Sequence, residues 1–459
     1  MKKIYYEYDV AVIGGGPAGL SAAISARREG AKVILLESAS FLGGAMAIGL
    51  SPLGFLDQSG ERCIGGFGEE FIGRLKDRGD SYGTRVCPKH NSVTVVNSEG
   101  VKLLAAEMCL DEGVDVLLHC QTLSADVENG KIKKVTMYGK CNLIEIKAKT
   151  YIDCTGDGDL GYLAGCSFEM GQDGSGELQP PTVMFTLGGV DTDKLLSYVE
   201  DHPEELRYNR PGIFEDERYT AQYFKEDPNY VFVGLQKTFR ELKARGELPV
   251  ERESFIYING TNPGEVYVNS VRILNTDATD IRDLSHAELS GAMQIPKLIK
   301  VLREYAPGFE NCYLEAIAPT LGVRETRRFK GINRVVAEDA YNGTLPDDTV
   351  CLSGYKIDIH SGKDVGLWFK AVERPFGIPY GALVSDEIDN LLFAGRCISC
   401  DAIALGSLRV IPTCLAMGQA AGTAAAICVK ENCAPKEVDI NTLRHRLLSA
   451  GTILEPVTK

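Results

Sequence analysis

Residues 9–23, Asp-Val-Ala-Val-Ile-Gly-Gly-Gly-Pro-Ala-Gly-Leu-Ser-Ala-Ala, constrain this chain more than any other stretch. The β-branched run Val10 to Ile13 reads as a buried parallel strand. It breaks into Gly14-x-Gly16-x-x-Gly19, and an alanine-rich helix follows to about Glu29. Gly30 stops that helix, Lys32 to Leu36 form a second apolar strand, and Glu37 ends it. In such a unit Gly14 permits the tight turn, Gly16 lets backbone approach a pyrophosphate, and Gly19 lets helix and strand pack closely. Pro17 and Ala18 open the helix, whose free N–H groups and positive dipole suit phosphate. Glu37 lies 18 positions past Gly19, near the ~20 expected of a carboxylate that binds a ribose 2′-hydroxyl. Ser38 follows it into the same site. The spacing specifies a dinucleotide and leaves NAD and FAD open.

Composition then narrows the class. A chain of 459 residues, 44% apolar, has length and core for two or three domains. A formal charge of -14 with no basic block argues against nucleic acid, because phosphate neutralisation needs clustered Lys and Arg. No uninterrupted apolar stretch approaches ~18 residues, so no membrane span is expected. The first nine residues lack an apolar signal core, and the 14 cysteines read as reduced thiols of a cytoplasmic protein. Their spacing offers neither an iron–sulfur run nor a paired zinc set, and no metal site is expected.

Along the chain, Phe41-Leu-Gly43-Gly44 is glycine-rich and stays near the dinucleotide. Helices end near Asp77 and run from Val101 to Glu112, and Val114 to His119 reads as a third parallel strand. Residues 121–150 read as a three-stranded β-meander, and Tyr151 begins a further strand ending in the turn Thr155-Gly156-Asp157. Residues 161–374 change character, with long polar helices (Gln236 to Arg245, His286 to Tyr305), separate strands and no dinucleotide signature. Strand signal returns near Ile378. Leu391 to Phe393 meet the turn Gly395-Arg396, and Pro412 to Lys430 form a long helix. The expected architecture is α/β. A discontinuous Rossmann-like FAD/NAD(P)-binding domain (1–160 and 375–459) has a parallel sheet plus β-meander, and residues 161–374 form an inserted α+β substrate or cap domain.

These segments together resemble the FAD-dependent oxidoreductases of the glutathione-reductase-like superfamily, on the fumarate-reductase and succinate-dehydrogenase flavoprotein side. The likeness covers nearly the whole chain. It includes Val12-Ile-Gly-Gly-Gly-Pro-Ala-Gly19, Asp153-Cys-Thr-Gly-Asp-Gly-Asp159, Pro307-Gly-Phe-Glu310 and Gly322-Val-Arg-Glu-Thr-Arg-Arg328. It continues through Asn390 to Ser399 and Gly418-Gln-Ala-Ala-Gly422. The resemblance implies that the first βαβ unit holds the ADP half of FAD. It also implies that the turns at Thr155 and Gly395 return backbone to the cofactor, and that the last long helix points at the flavin ring. Independently, Gly418, Ala421, Gly422 and Ala425 follow i, i+3, i+4, i+7 and leave that helix a nearly bare face. Such a face suits either close approach to flavin or close helix packing. Two departures matter. Phe41 to Leu50 holds no histidine to attach FAD, which is therefore expected to be noncovalent. No second G-x-G-x-x-G is present for NADPH, so the electron donor or acceptor is unknown.

Hydride transfer at a flavin needs a positioned C–H, a group for the accompanying proton, and cations for any carboxylate. Arg324, Arg327 and Arg328 lie in a strand-like run, with alternation placing Arg324 and Arg328 on one face. A guanidinium fork suits carboxylate or phosphate, and Arg324 is the candidate there. His360 ends a strand-like run and is a candidate for proton transfer, with a structural histidine as the alternative. Arg409, just before the flavin-facing helix, is the first choice beside the ring, with Asp358 and Asp401 to orient these groups. Cys397-x-x-Cys400 invites a redox dithiol, but lacks the helix-opening context that lowers a thiol's pKa. The expected function is hydride transfer between noncovalent FAD and a small organic molecule held between the domains. An electron-transfer flavoprotein subunit, a flavin-dependent tRNA-modifying protein and a nucleotide-binding regulator without turnover are the alternatives. Homo-oligomerisation is left open.

Overall fold

The apolar run before Gly14 is the buried end of a longer strand, β1 (Lys2–Ile13), which helix α1 (Pro17–Arg28) and strand β2 (Val33–Leu36) follow. The computed structural model describes residues 2–206, 216–364 and 366–457. A seven-stranded sheet runs from Asp115–Leu117 through β2 and β1 to Asn142–Asp153, all parallel, with Leu391–Phe393 parallel to the last of these. The other end of Asn142–Asp153 pairs antiparallel with Lys131–Gly139, which pairs with Gln121–Glu128. The fold is thus the α/β, Rossmann-like sheet with a β-meander that the sequence predicts. One detail differs. There is no break at residue 150, because β1 extends outward from its buried end and pairs Lys2 with Asn142 through Ile13 with Asp153. A single 12-residue strand therefore serves both meander and parallel sheet.

Packed against α1 is the helix Ile411–Glu431. It is 21 residues, long and apolar enough to cross a membrane by length and composition alone; Thr413, Gln419 and Thr423 interrupt its apolar run, and its apolar window is wholly buried inside the protein. Built Cβ atoms at Gly418 and Gly422 fall 2.1 Å from the carbonyl oxygens of Ala18 and Ala22, so only glycine permits this approach. The bare face thus meets α1 backbone.

A second sheet, antiparallel, has the order Val231–Gly234, Phe255–Asn259, Val266–Arg272, Thr182–Gly188, Tyr313–Ile317. Its own apolar core contains Phe185, Phe232, Phe239, Phe255 and Tyr257, with helix Ile281–Tyr305 packed on it. The first core continues into Phe329, Val350, Ile357 and Val372, residues from the C-terminal part of the expected cap segment. The hairpin Ile357–His360/Leu367–Lys370 belongs to that part. Two cores side by side leave a cleft between the carboxyl edge of one sheet and a face of the other.

Candidate functional site

The parallel strands end together at Ile13, Leu36, Asp153 and Phe393, and ladder-like bonds join the turns beyond them. Gly14 N–H donates to Leu36 O at 2.7 Å, Cys154 N–H to Ile13 O at 2.7 Å, and Ala394 N–H to Asp153 O at 3.0 Å. This carboxyl edge is where open α/β sheets bind ligands. The turns open on one connected cavity of about 620 Å³. Gly14, Gly16, Pro17, Ala18, Glu37, Ser38, Gly44, Thr155, Gly156, Asp157, Gly395 and Arg396 line it, as do Arg324, His360 and Arg409.

Residue identity here follows from space. Gly14 has φ +100°, and a Cβ would stand 2.4 Å from Cys154 O. A Cβ at Gly19 would stand 1.7 Å from Gly14 O, so Gly19 serves strand–helix packing and does not line the cavity. A Cβ at Gly16 would meet nothing closer than Gly44 Cα at 4.0 Å, which leaves room for a phosphate. The helix opens with Gly16 as N-cap, Pro17 follows, and no side chain caps its N–H groups. Those groups and the helix dipole are free to meet an anion. Glu37 Oε2 accepts from Gly15 N–H at 2.6 Å and Oε1 from Ala39 N–H at 2.7 Å, fixing the carboxylate at the cavity rim. Asp157 bridges Arg396 at 2.9 Å and Thr326 at 2.8 Å, holding the two returning turns together. Among these groups Arg396 Nη1 is buried without a hydrogen-bond partner. These features fit FAD: a glycine cradle and helix N-terminus for the pyrophosphate, and a fixed carboxylate for a ribose.

Three expectations move. Gly43 has φ +102°, donates its N–H to Gly15 O, and faces Val101 instead of the cavity. Gly418 and Ala421 lie outside the cavity lining, since their helix spends its bare face on α1. The strand that was to align the arginines begins only at Arg327, so alternation does not reach Arg324. Arg324 faces the cavity, whereas Arg328 turns inward to Glu325 at 2.5 Å, Gly171 O and Cys400 O. Arg327 instead reaches Asp159 and covers the Tyr162 ring.

On the wall facing the cradle, Arg252, Arg272, Arg324 and Arg409 surround Asp358 and His360. Arg409, the C-cap of helix Ala402–Leu408, donates to Asp358 O at 2.7 Å and Gln179 Oε1 at 3.2 Å. Arg324 donates to Pro180 O, and Arg252 to Asn269 O. Burial, with Arg409 and Arg272 adding like charge, lowers Arg324 to about 9, and burial likewise carries Arg252 well below its ordinary value. Burial would raise Asp358, but the hydrogen bond from His360 and the guanidiniums of Arg409 and Arg324 outweigh it and carry the carboxyl below its ordinary value. His360 is carried well below its ordinary value chiefly by burial, so the ring is neutral. Arginine only donates, so His360 Nδ1 accepts from Arg272 at 2.8 Å and Nε2–H is left for Asp358 at 3.2 Å. Both ring nitrogens are occupied. His360 therefore positions Arg272 and Asp358 and has no free nitrogen for proton exchange with a substrate. Of the pair that was to assist, Asp401 instead caps helix Ala402–Leu408.

Sequence reading passed over Arg252, Arg272 and Gln179. Arg272 ends an apolar strand, but nothing local marks Arg252, which reaches the site only through folding of the second sheet. Cys397 and Cys400 are both buried, and burial pushes Cys400 up to about 12 and Cys397 well above the ordinary thiol value. Such thiols stay protonated and away from oxidants.

The family model described as FAD dependent oxidoreductase matches residues 9–447. A ferredoxin–NADP reductase of Streptococcus sanguinis (strain SK36) is 35% identical over 92 residues, which are 20% of this chain and 28% of that protein. A ferredoxin–NADP reductase of Leuconostoc citreum (strain KM20) is 37% identical over 92 residues, 20% of this chain and 26% of that one. The chain thus matches less than a third of the length of these relatives. Among solved structures, a geranylgeranyl bacteriochlorophyll reductase-like protein from Thermoplasma acidophilum aligns at 14% identity and TM-score 0.47, covering 97% of this chain and 83% of its own. The p-nitrophenol 4-monooxygenase from Pseudomonas putida DLL-E4 aligns at 13% identity and TM-score 0.47, covering 99% and 88%. With the family match running over almost the whole chain and the glycine cradle at its start, the protein belongs to the FAD dependent oxidoreductase family.

Proposed function

We propose that the protein transfers a hydride between noncovalently held FAD and a small organic acid whose carboxylate sits among Arg252, Arg324 and Arg409. One observation carries this reading: Arg252 and Arg324 are buried on the cavity wall, and among the described residues neither reaches ion-pair distance of a carboxylate, Asp358 being taken by His360 and Arg409. A buried unpaired charge costs several kcal/mol unless something compensates it, and a carboxylate would do so with fork geometry. Bound FAD would supply the two-electron donor or acceptor. Arg324 and Arg409 bind and orient the substrate, Gln179 and Asp358 hold Arg409, and His360 holds Arg272. The apolar lining excludes water.

The reading extends to the chain's finer placement, on the fumarate-reductase side of the glutathione-reductase-like superfamily, supported by the Thr155 and Gly395 turns. It extends to the cytoplasm as location, supported by 14 cysteines without a disulfide. It also includes an electron partner that docks without a second dinucleotide motif. Neither an electron-transfer subunit nor a tRNA-modifying protein has an observation in its favour.

The test is to purify the protein, precipitate it with acid, and identify the released flavin. The holoenzyme is then mixed anaerobically with organic acids while flavin absorbance is followed. Intact FAD should be released, and at least one acid should bleach or restore the flavin. Arg409→Ala should keep FAD and lose that response. A protein that is colourless and cannot be reconstituted sinks the FAD reading, and an unchanged response in the variant removes Arg409 from the site.

A further inference from the structure

The wall that carries the arginines is not polar throughout. In the second sheet Val231 pairs with Ile258 and Val233 with Ile256, so these four side chains share one face. All four line the cavity. The same cavity takes Asn269 and Arg272 from the neighbouring strand, and Arg252 stands three residues before that strand's partner begins, donating to Asn269 O. One sheet face therefore grades from guanidinium to aliphatic across three neighbouring strands. At about 3.4 Å per residue and about 4.8 Å between strands, the aliphatic part measures roughly 7 by 5 Å. That matches one ring or a short branched chain. The phosphate cradle lies on the other wall of the same cavity, at the carboxyl edge of the first sheet.

We propose that the substrate is an amphipathic monocarboxylic acid, its carboxylate held among Arg252, Arg324 and Arg409 and its apolar body lying across Val231, Val233, Ile256 and Ile258. This rests on the carboxylate reading above and adds the apolar half. A compact dicarboxylate would place both charges among the guanidiniums and leave this face without a partner. A long lipid chain would overrun a platform of this length.

Three probes separate the two layers on the FAD-loaded protein: 4-methylpentanoate, 4-methylpentanamide and succinate, each titrated by calorimetry and by perturbation of the flavin spectrum. 4-Methylpentanoate should bind at least about tenfold more tightly than either of the others, the discrimination that a methylene-sized apolar contact commonly gives. Val233→Thr keeps the side chain's shape and puts a hydroxyl on the apolar face, and it should remove most of the preference over succinate. Ile256→Val, a milder change, should lower it less. Succinate binding as tightly as 4-methylpentanoate, or a preference unmoved in both variants, overturns the amphipathic substrate and leaves the carboxylate site standing. The amide binding as tightly as the acid overturns the carboxylate site as well.

Discussion

Substituting Gly418 by alanine tests the contact that joins the core helix to the cofactor cradle. The new Cβ would lie 2.1 Å from Ala18 O, 2.8 Å from its carbonyl carbon and 2.9 Å from its Cα, all backbone atoms of α1. Ordinary contact begins at 3.4 Å, so the helices must part locally by about 1.3 Å. No side-chain rotation relieves this. Overpacking of this kind costs about 1–3 kcal/mol or more, against which alanine returns about 1 kcal/mol of helix propensity. The net expectation is a loss of about 2 kcal/mol. Because Ala18 lines the cavity at the helix N-terminus, FAD affinity should fall too. Gly73 is the control: it lies within helix Phe67–Asp77 with nothing within 4 Å of a built Cβ, so alanine there should stabilise by about 0.5–1 kcal/mol. Urea unfolding of both apo variants by circular dichroism, with FAD titration by flavin fluorescence, measures the contrast. A Gly418→Ala protein at least as stable as the wild type refutes the backbone contact. A fall in FAD affinity with an unchanged apo midpoint would return the bare face to the flavin.

Two further predictions concern buried charge. Glu325 and Arg328 form an ion pair with 0% and 1% side-chain exposure, so Glu325→Ala strands a guanidinium and should cost about 3–5 kcal/mol, with much of it recovered by adding Arg328→Met; equal thermal midpoints for single and double variants would contradict this. Asp153 is raised by burial to about 6, although Thr155 and Gly161 donate three hydrogen bonds that pull it down. Unfolded, it titrates near ~3.9, so the native state favours the proton between these values. Stability relative to Asp153→Asn is then fullest below about pH 4 and is lost as pH rises through 6, by about 3 kcal/mol. Unfolding midpoints of the two proteins at low and neutral pH measure it, and a wild-type advantage that grows with pH would reverse the sign.

What local sequence determined was the cradle. Strand, glycine turn and helix are neighbours in the chain, and Gly14, Gly16 and Glu37 are dictated by sterics and hydrogen bonds over a few dozen residues. The returning turns at Thr155 and Gly395 were legible because each ends an apolar strand with glycine. The substrate wall was not. Arg252, Arg272, Arg324 and Arg409 come from four separate segments, and no spacing rule connects them. Only the packing of the second sheet over the first brings their charges together. His360 shows the same limit. Its residue type suggests proton transfer, but Arg272 and Asp358, which occupy both its nitrogens, reach it only by folding. The bare face of Gly418 and Gly422 was visible in the sequence as a pattern. Whether it met flavin or helix depended on α1 lying across it, a contact between residues some 400 positions apart.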